Sequence, residues 1–309
     1  MPPKKVTIRV PATTANMGPG FDCLGMALDI FNTLTVEVAD SFSITLEGDG
    51  PSRLSKGKDN LVYKSIEALY AKVGKPVPHL RIHCNNVIPL SRGLGSSSAA
   101  IVGGMTAANI LLGNPLSRDD ILDLAVFLEG HPDNVTSALC GGCNIVVMNG
   151  IDLVTTPVPL KPGVKAVLYI PDFEMPTLKA RALLHPEVSR ADAVFNIGRA
   201  AMLAVALSSG RWDLLKVATQ DRLHQPQRQT LFPAMGYILQ AALDAGAPGA
   251  FLSGSGSTVL AIATTKTAAI GKAMADTAKR EGLSGKTLVT KPSPVGVQAL
   301  EVGLRDQCP

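Results

Sequence analysis

Residues 89–100 read PLSRGLGSSSAA. Two glycines and a run of serines stand directly before an apolar segment, a composition suited to holding an anion. The first turn of a helix has unsatisfied N–H groups, and the helix dipole adds partial positive charge there. Gly93 and Gly95 let backbone amides close around phosphate oxygens. A serine hydroxyl can donate to phosphate or ligate Mg²⁺. No lysine follows Gly95, so this is not a Walker A loop, and backbone amides must replace that cation. A flexible linker fits poorly, because the apolar helix begins at once and fixes the loop.

Other reactive side chains say less in isolation. Glu129 in LEGHPDNV reads as a solvated acid at a helix end, and His131 as a structural hydrogen-bonding group. Arg181 in TLKAR and Arg228 in HQPQR read as surface ion-pair partners. CGGC at 140–143 has the spacing of a redox or metal pair. With no second cysteine pair, it reads instead as small buried residues in a glycine-rich turn. Cys23, Cys84 and Cys308 are scattered, so a disulfide framework is not expected.

The hydrophobic pattern sets out the elements that must position these groups. Residues 5–10, 34–38 and 42–46 alternate as strands do. Residues 60–73 carry apolar side chains at helical spacing, with 59–60 as a cap. HLRIHC alternates into the serine loop, and AAIVGGMTAANILLG after Ser98 is an almost wholly apolar helix that must be buried. Ser117 and Asp120 give the next helix a capping box, and CNIVVM is a strand. The pattern restarts near residue 155. KAVLYI is a strand, 190–209 an alanine-rich helix, and PAMGYILQAALDAG a helix ending near Gly246. GAFLSGSGSTVLAIA makes two strands around a turn, and a helix and the strand KTLVT follow. Two α+β lobes are expected, 1–155 and 156–309, with Gly150, Pro157, Pro159 and Pro162 at the boundary.

The 309 residues are 46% hydrophobic and 17% charged, with a net charge of +4, which fits a globular chain. The basic residues are dispersed, which argues against nucleic acid. No apolar run reaches about 18 residues unbroken, and MPPKKVTIRV leads into a strand rather than a signal-peptide core. A membrane span is therefore not expected, and a cytoplasmic location is.

PLSRGLGSSSAA resembles the second motif of the GHMP kinases. VPATTANMGPGFDCLGMALDIFN resembles their first motif, in the form carried by the homoserine-phosphorylating branch. LEGHPDNV, DRLHQPQR and the glycine-rich GAFLSGSGST complete the series in the family's order, from residue 10 to about 262. Three positions depart from the pattern. Thr136-Ser137 stands for Ala-Pro, Gln227 for an aromatic and Ser257 for proline. None removes a chemical group, though Gln227 bears on packing beside Arg228.

The resemblance implies a two-lobed α+β fold: an N-terminal ribosomal S5 domain 2-like lobe and a C-terminal ferredoxin-like lobe. It implies ATP-dependent phosphorylation of L-homoserine on its hydroxyl, on the route to threonine, with ATP and Mg²⁺ as cofactors. By motif position, Ser97 and Glu129 ligate the metal. Asn60, Leu61 and Val62 meet the adenine. Pro89, Leu90, Ser91, Arg92, Gly93, Leu94, Gly95, Ser96, Ser97 and Ser98 carry the phosphates. A zwitterion needs an anion and a cation, since unpaired buried charge is costly. Asp22 suits the ammonium, and Arg181 and Arg228 suit the carboxylate. Asn16, Asn134, Thr177 and Gly254 complete the substrate site, with Asn134, Glu129 and Arg228 as the catalytic set. Asn134 stands where base-using relatives have a carboxylate, and it cannot take a proton. The γ-phosphate is therefore expected to receive the hydroxyl proton, with Asp133 as the fallback base. The expected partners are ATP and homoserine, and a homodimer is the candidate assembly. A kinase of another small alcohol would need a different first motif. A non-catalytic homologue would have lost Glu129 or the GLGSS run.

Overall fold

Two long strands, β1 (Lys5–Asn16) and β2 (Gly20–Val38), pair antiparallel from end to end. β3 (Ser43–Gly48), α1 (Leu61–Lys72), β4 (Leu80–Asn86), α2 (Ser96–Leu111), α3 (Arg118–Glu129), α4 (Pro132–Cys140), β5 (Cys143–Asn149) and β6 (Asp152–Val158) follow. The second lobe contributes β7 (Lys165–Pro171), α5 (Thr177–Ala182), α6 (Arg190–Ser209), α7 (Leu215–Ala218), α8 (Gln225–Arg228), α9 (Met235–Asp244), β8 (Gly249–Leu252), β9 (Val259–Ala263), α10 (Thr267–Arg280) and β10 (Gly285–Thr290). The last strand is β11 (Gln298–Gly303). This computed structural model describes residues 2–150 and 152–303; Cys308 lies outside them.

β2 is long enough to serve two partners. Its residues 33–38 pair with β4, and its residues 24–26 with β5. The first sheet thus runs β11-β1-β2-β4-β3, with β5 and β6 branching from β2. The second sheet runs β10-β7-β9-β8, all antiparallel. With helices between β7 and β8 and between β9 and β10, this is the ferredoxin-like β-α-β-β-α-β order. The expected fold class is the observed one. The division at 155/156 does not match the sheets, however. β6 spans it, and β11 crosses back to pair with β1, because β1 otherwise presents an open edge.

The apolar α2 is buried along Ile101, Val102, Met105, Ala107 and Ala108, as its composition demands. It starts three residues earlier than expected, at Ser96, so the serines themselves form its first turn. α3 has the capping box anticipated from Ser117 and Asp120. By length and composition α6 could cross a membrane. Here it packs Leu203, Ala206 and Leu207 into the core. Cys140 and Cys143 are free thiols, and burial pushes Cys143 up to about 12.

Candidate active site

A cleft of about 420 Å³ runs between the lobes. Its apolar end is walled by Leu34, Leu46, Leu61, Val62 and Cys84, and its polar end by Asp22, Arg181 and Arg228. The serine loop lies between them.

Gly95 stands at the N-terminus of α2 with φ +70°, and no side chain caps the helix. The first-turn amides are thus left for a ligand. A Cβ on Gly95 would collide with Thr13 Oγ1, and one on Gly93 with the Ser253 carbonyl. The loop is fixed from three directions. Thr13 N donates to Leu94 O (3.0 Å), and Leu90 N donates to Asp49 Oδ2 (2.8 Å). From the other lobe, Ser253 Oγ donates to Gly93 O (2.6 Å) and Thr258 N to Arg92 O (3.1 Å). Arg92 spends its side chain on the backbone carbonyls of Leu90, Pro171 and Asp172.

Glu129 ends α3 beside this first turn. Its Oε1 accepts from Ser97 Oγ (2.5 Å) and Ser98 Oγ (2.8 Å). Ser97 and Glu129 line the cleft; Ser98 is fully buried behind it and supports Glu129 only. Next to them, His131 Nδ1 donates to Asp133 Oδ1 (2.9 Å). Burial opposes charge on His131, but the hydrogen bond and the carboxylates of Asp133 and Glu129 outweigh it. Its pKa lies above the ordinary 6.5. Asn134 Oδ1 accepts from Thr13 Oγ1 (2.7 Å), so Asn134 turns its amide N–H₂ away from Thr13, toward Asp133 and the cleft.

At the polar end, Arg181 grips Asp22 with both terminal nitrogens, each at 2.8 Å. This bidentate bond, ahead of other influences, raises the Arg181 pKa. Arg228 is only 2% exposed. Burial, then the charge of Arg181, pushes it down to about 10, which still leaves it cationic at neutral pH. Phe21 lies 5.4 Å from the Arg181 guanidinium carbon and 5.6 Å from that of Arg228. Asn16 is committed at both ends of its amide: Oδ1 accepts from Asp22 N (3.0 Å), and Nδ2 donates to Gly254 O (3.0 Å). Thr177 Oγ1 sits 3.3 Å from Ser255 Oγ at the rim. Asn60 caps α1 through Val62 N (2.9 Å) and donates to Ser55 O (2.6 Å). One amide hydrogen remains for a base edge.

The cleft therefore gathers the site residues anticipated above, Ser98 excepted. Phe21, Thr13, Asn32 and His224 escaped the sequence reading. Asn32 Oδ1 accepts from Val87 N (2.7 Å) and Ile88 N (2.8 Å), holding the approach to the loop.

Comparison with known proteins gives a consistent picture. Residues 60–142 match the family model described as GHMP kinases N terminal domain, and residues 203–277 that described as GHMP kinases C terminal. The chain is 44% identical over 296 residues to a homoserine kinase of Desulfitobacterium hafniense, covering 96% of this chain and 100% of that one. It is 48% identical over 263 residues to a homoserine kinase of Synechocystis, covering 83% and 85%. A crystal structure of homoserine kinase from Cytophaga hutchinsonii has a TM-score of 0.87 and 30% identity, covering 96% of this chain and 98% of that one.

Gly95→Val tests the loop. The side chain cannot fit beside Thr13, and a β-branched residue resists positive φ. Calorimetric titration is expected to show ATP affinity lower by at least about 30-fold, since several phosphate hydrogen bonds are lost together. Circular dichroism should stay native. Unchanged affinity in a folded variant would remove the loop from the nucleotide site.

Proposed function

The chain belongs to the GHMP kinases, and within them to the homoserine kinases; from this we propose how its own residues hold and join the two substrates. The enzyme transfers the γ-phosphoryl group of ATP to the side-chain hydroxyl of L-homoserine, giving O-phospho-L-homoserine on the route to threonine. The adenine enters the apolar end beside Leu61 and Val62. Its phosphates lie on the amides of the loop and the first turn of α2.

Ser97 and Glu129 are hard oxygen donors brought to one point, and they fit Mg²⁺, which takes few protein ligands. Bound there, Mg²⁺ would supply neutralisation of phosphate charge. The charge layout of the polar end carries the substrate assignment. Asp22 and Arg181 already pair, and Arg228 adds a buried cation with an unpartnered Nε. An α-amino acid can enter by exchange. Its ammonium takes the place of Arg181 on Asp22, and its carboxylate takes the place of Asp22 on Arg181 and reaches Arg228. Asp22 and Arg181 are paired at both stages, and Arg228 gains its carboxylate on binding, so the ligand removes an unpaired buried charge rather than creating one.

Asn134, turned by Thr13, directs an N–H to the substrate hydroxyl oxygen and so orients it for in-line transfer. Asn134 has no basic atom, and Asp133 Oδ1 is already held by His131 and by the Asn134 backbone N–H (2.8 Å). The hydroxyl proton therefore passes to a γ-phosphate oxygen as the loose transition state forms.

An ATP-consumption assay with Mg²⁺ across L-homoserine, mevalonate, galactose and shikimate should show turnover with homoserine alone. Turnover with galactose or mevalonate and not homoserine would overturn the assignment. Glu129→Gln keeps the shape and loses the charge. Turnover should fall by about 100-fold or more, equivalent to about 2.7 kcal/mol. Near-normal turnover at limiting Mg²⁺ would exclude Glu129 as a ligand. For the carboxylate, Arg228→Ala should lower kcat/KM for homoserine by roughly 30-fold or more, with little change in ATP affinity. Wild type should use homoserine amide poorly, and the variant should hardly distinguish it from homoserine. A wild type that treats both alike would refute the clamp.

A further inference from the structure

HQPQR spans the single turn of α8, and it places His224 and Arg228 four residues apart on one face. Arg228 Nη1 lies 2.9 Å from His224 Nδ1 and 2.8 Å from Gly254 O. A guanidinium has only donors. The histidine nitrogen facing it must therefore be the one with the lone pair. The proton then belongs to Nε2, which donates to Gly18 O at 2.8 Å. Contact chemistry alone fixes the tautomer.

Both neighbours meet Arg228 on Nη1. Its Nε is buried without a partner, and Nη2 makes no hydrogen bond among the described residues. The Nε–Nη2 edge is a fork of two parallel N–H groups, the geometry that receives a carboxylate. An unpaired buried donor costs free energy until something accepts from it.

His224 is itself firmly held. It is 0% exposed, and Phe21 stacks on it with ring centroids 5.5 Å apart at 30°. The Asp221 carboxylate accepts from the backbone N–H groups of Leu223 (2.9 Å), His224 (3.0 Å) and Gln225 (2.7 Å). Asn196 of α6 donates to Asp221 Oδ1 at 2.7 Å and binds this turn from outside. Burial pushes the His224 pKa down, which keeps the ring neutral and its Nδ1 lone pair available.

We propose that His224 is a positioning residue for the phosphoryl acceptor: by filling Nη1 of Arg228 together with Gly254, it fixes the guanidinium so that Nε and Nη2 are the donors left for the substrate carboxylate. This rests on the reading of Arg228 as a carboxylate contact.

Two substitutions separate the ring nitrogens. Asn places an amide oxygen near the position of Nδ1, and Gln places its amide nearer that of Nε2. His224→Gln should raise the KM for homoserine about 10-fold, the effect of one hydrogen bond to a charged group, with the KM for ATP unmoved. His224→Asn should recover most of that loss, although it leaves the larger void. A role limited to packing predicts the reverse order, following thermal stability measured on the same proteins. On an Arg228→Ala background, His224→Gln should cost no further kcat/KM for homoserine. An equal loss on both backgrounds, or a near-normal His224→Gln, overturns the proposal while leaving Arg228 in place. An Arg228→Ala enzyme with unchanged kcat/KM for homoserine overturns the Arg228 reading and the proposal together. The wild-type protein gives a check that no variant's folding can obscure. Nitrogen-15 NMR of its histidines should show His224 as the Nε2–H tautomer at neutral pH. An Nδ1–H form or an imidazolium overturns the proposal.

Discussion

One carbonyl oxygen, that of Gly254, accepts from Asn16 Nδ2 of the first lobe and from Arg228 Nη1 of the second. The polar end of the cleft is organised around it. Asn16 can hold the Asp22 backbone only because its amide is committed at the other end to Gly254. The same glycine-rich turn donates from Gly254 N to Ala15 O (3.1 Å) and, through Ser253 Oγ, to Gly93 O. Phosphate loop, substrate loop and second lobe thus share one seam of hydrogen bonds, each accepted by a main-chain carbonyl. Main-chain atoms at a seam allow almost no choice of side chain where backbones touch, and three glycine-bearing motifs meet there.

Much of this was legible because it is local. A loop that opens a helix, an apolar helix behind it and a capping box are read from neighbours in sequence, and all three are present. The motif resemblance also pointed to Glu129, Asp22 and Arg181, which line the cleft, although it could not reveal that Asp22 and Arg181 pair with each other. What escaped depends on distant partners. PATTANMGPGFDCLG looks rich in turns, yet it forms the inner ends of β1 and β2, because each strand finds its ladder in the other. α4 is short, with a proline in its first turn, and too brief to show a period. β11 carries no strong pattern, since most of its side chains are exposed, and only the free edge of β1 recruits it. Thr13 and His224 act through residues 121 and 4 positions away, and only the second spacing leaves a trace in the sequence.

The two halves of the cleft solve unlike electrostatic problems. The phosphate half relies mainly on partial charges from loop and first-turn amides, with Glu129 as the carboxylate beside them and the Arg92 cation held on backbone carbonyls. The amino-acid half contributes whole charges: Asp22 and Arg181 neutralise each other, and Arg228 stands beside them as a further buried cation. The first arrangement is unchanged by the absence of a ligand. In the second, Asp22 and Arg181 never stand alone, and the unpaired Arg228 cation favours the arrival of a carboxylate.

The return of β11 to β1 makes the second lobe an insertion within the first. Lys5 and Gly303 face each other across the ladder, so the beginning and the end of the fold are neighbours. During synthesis, the first lobe has most of its sheet early but must leave the outer edge of β1 bare until the whole second lobe has emerged. The two lobes therefore cannot mature in strict sequence as independent units do. The same adjacency makes the chain a natural candidate for circular permutation. A short linker could join the two strands, and new ends could open in an exposed loop.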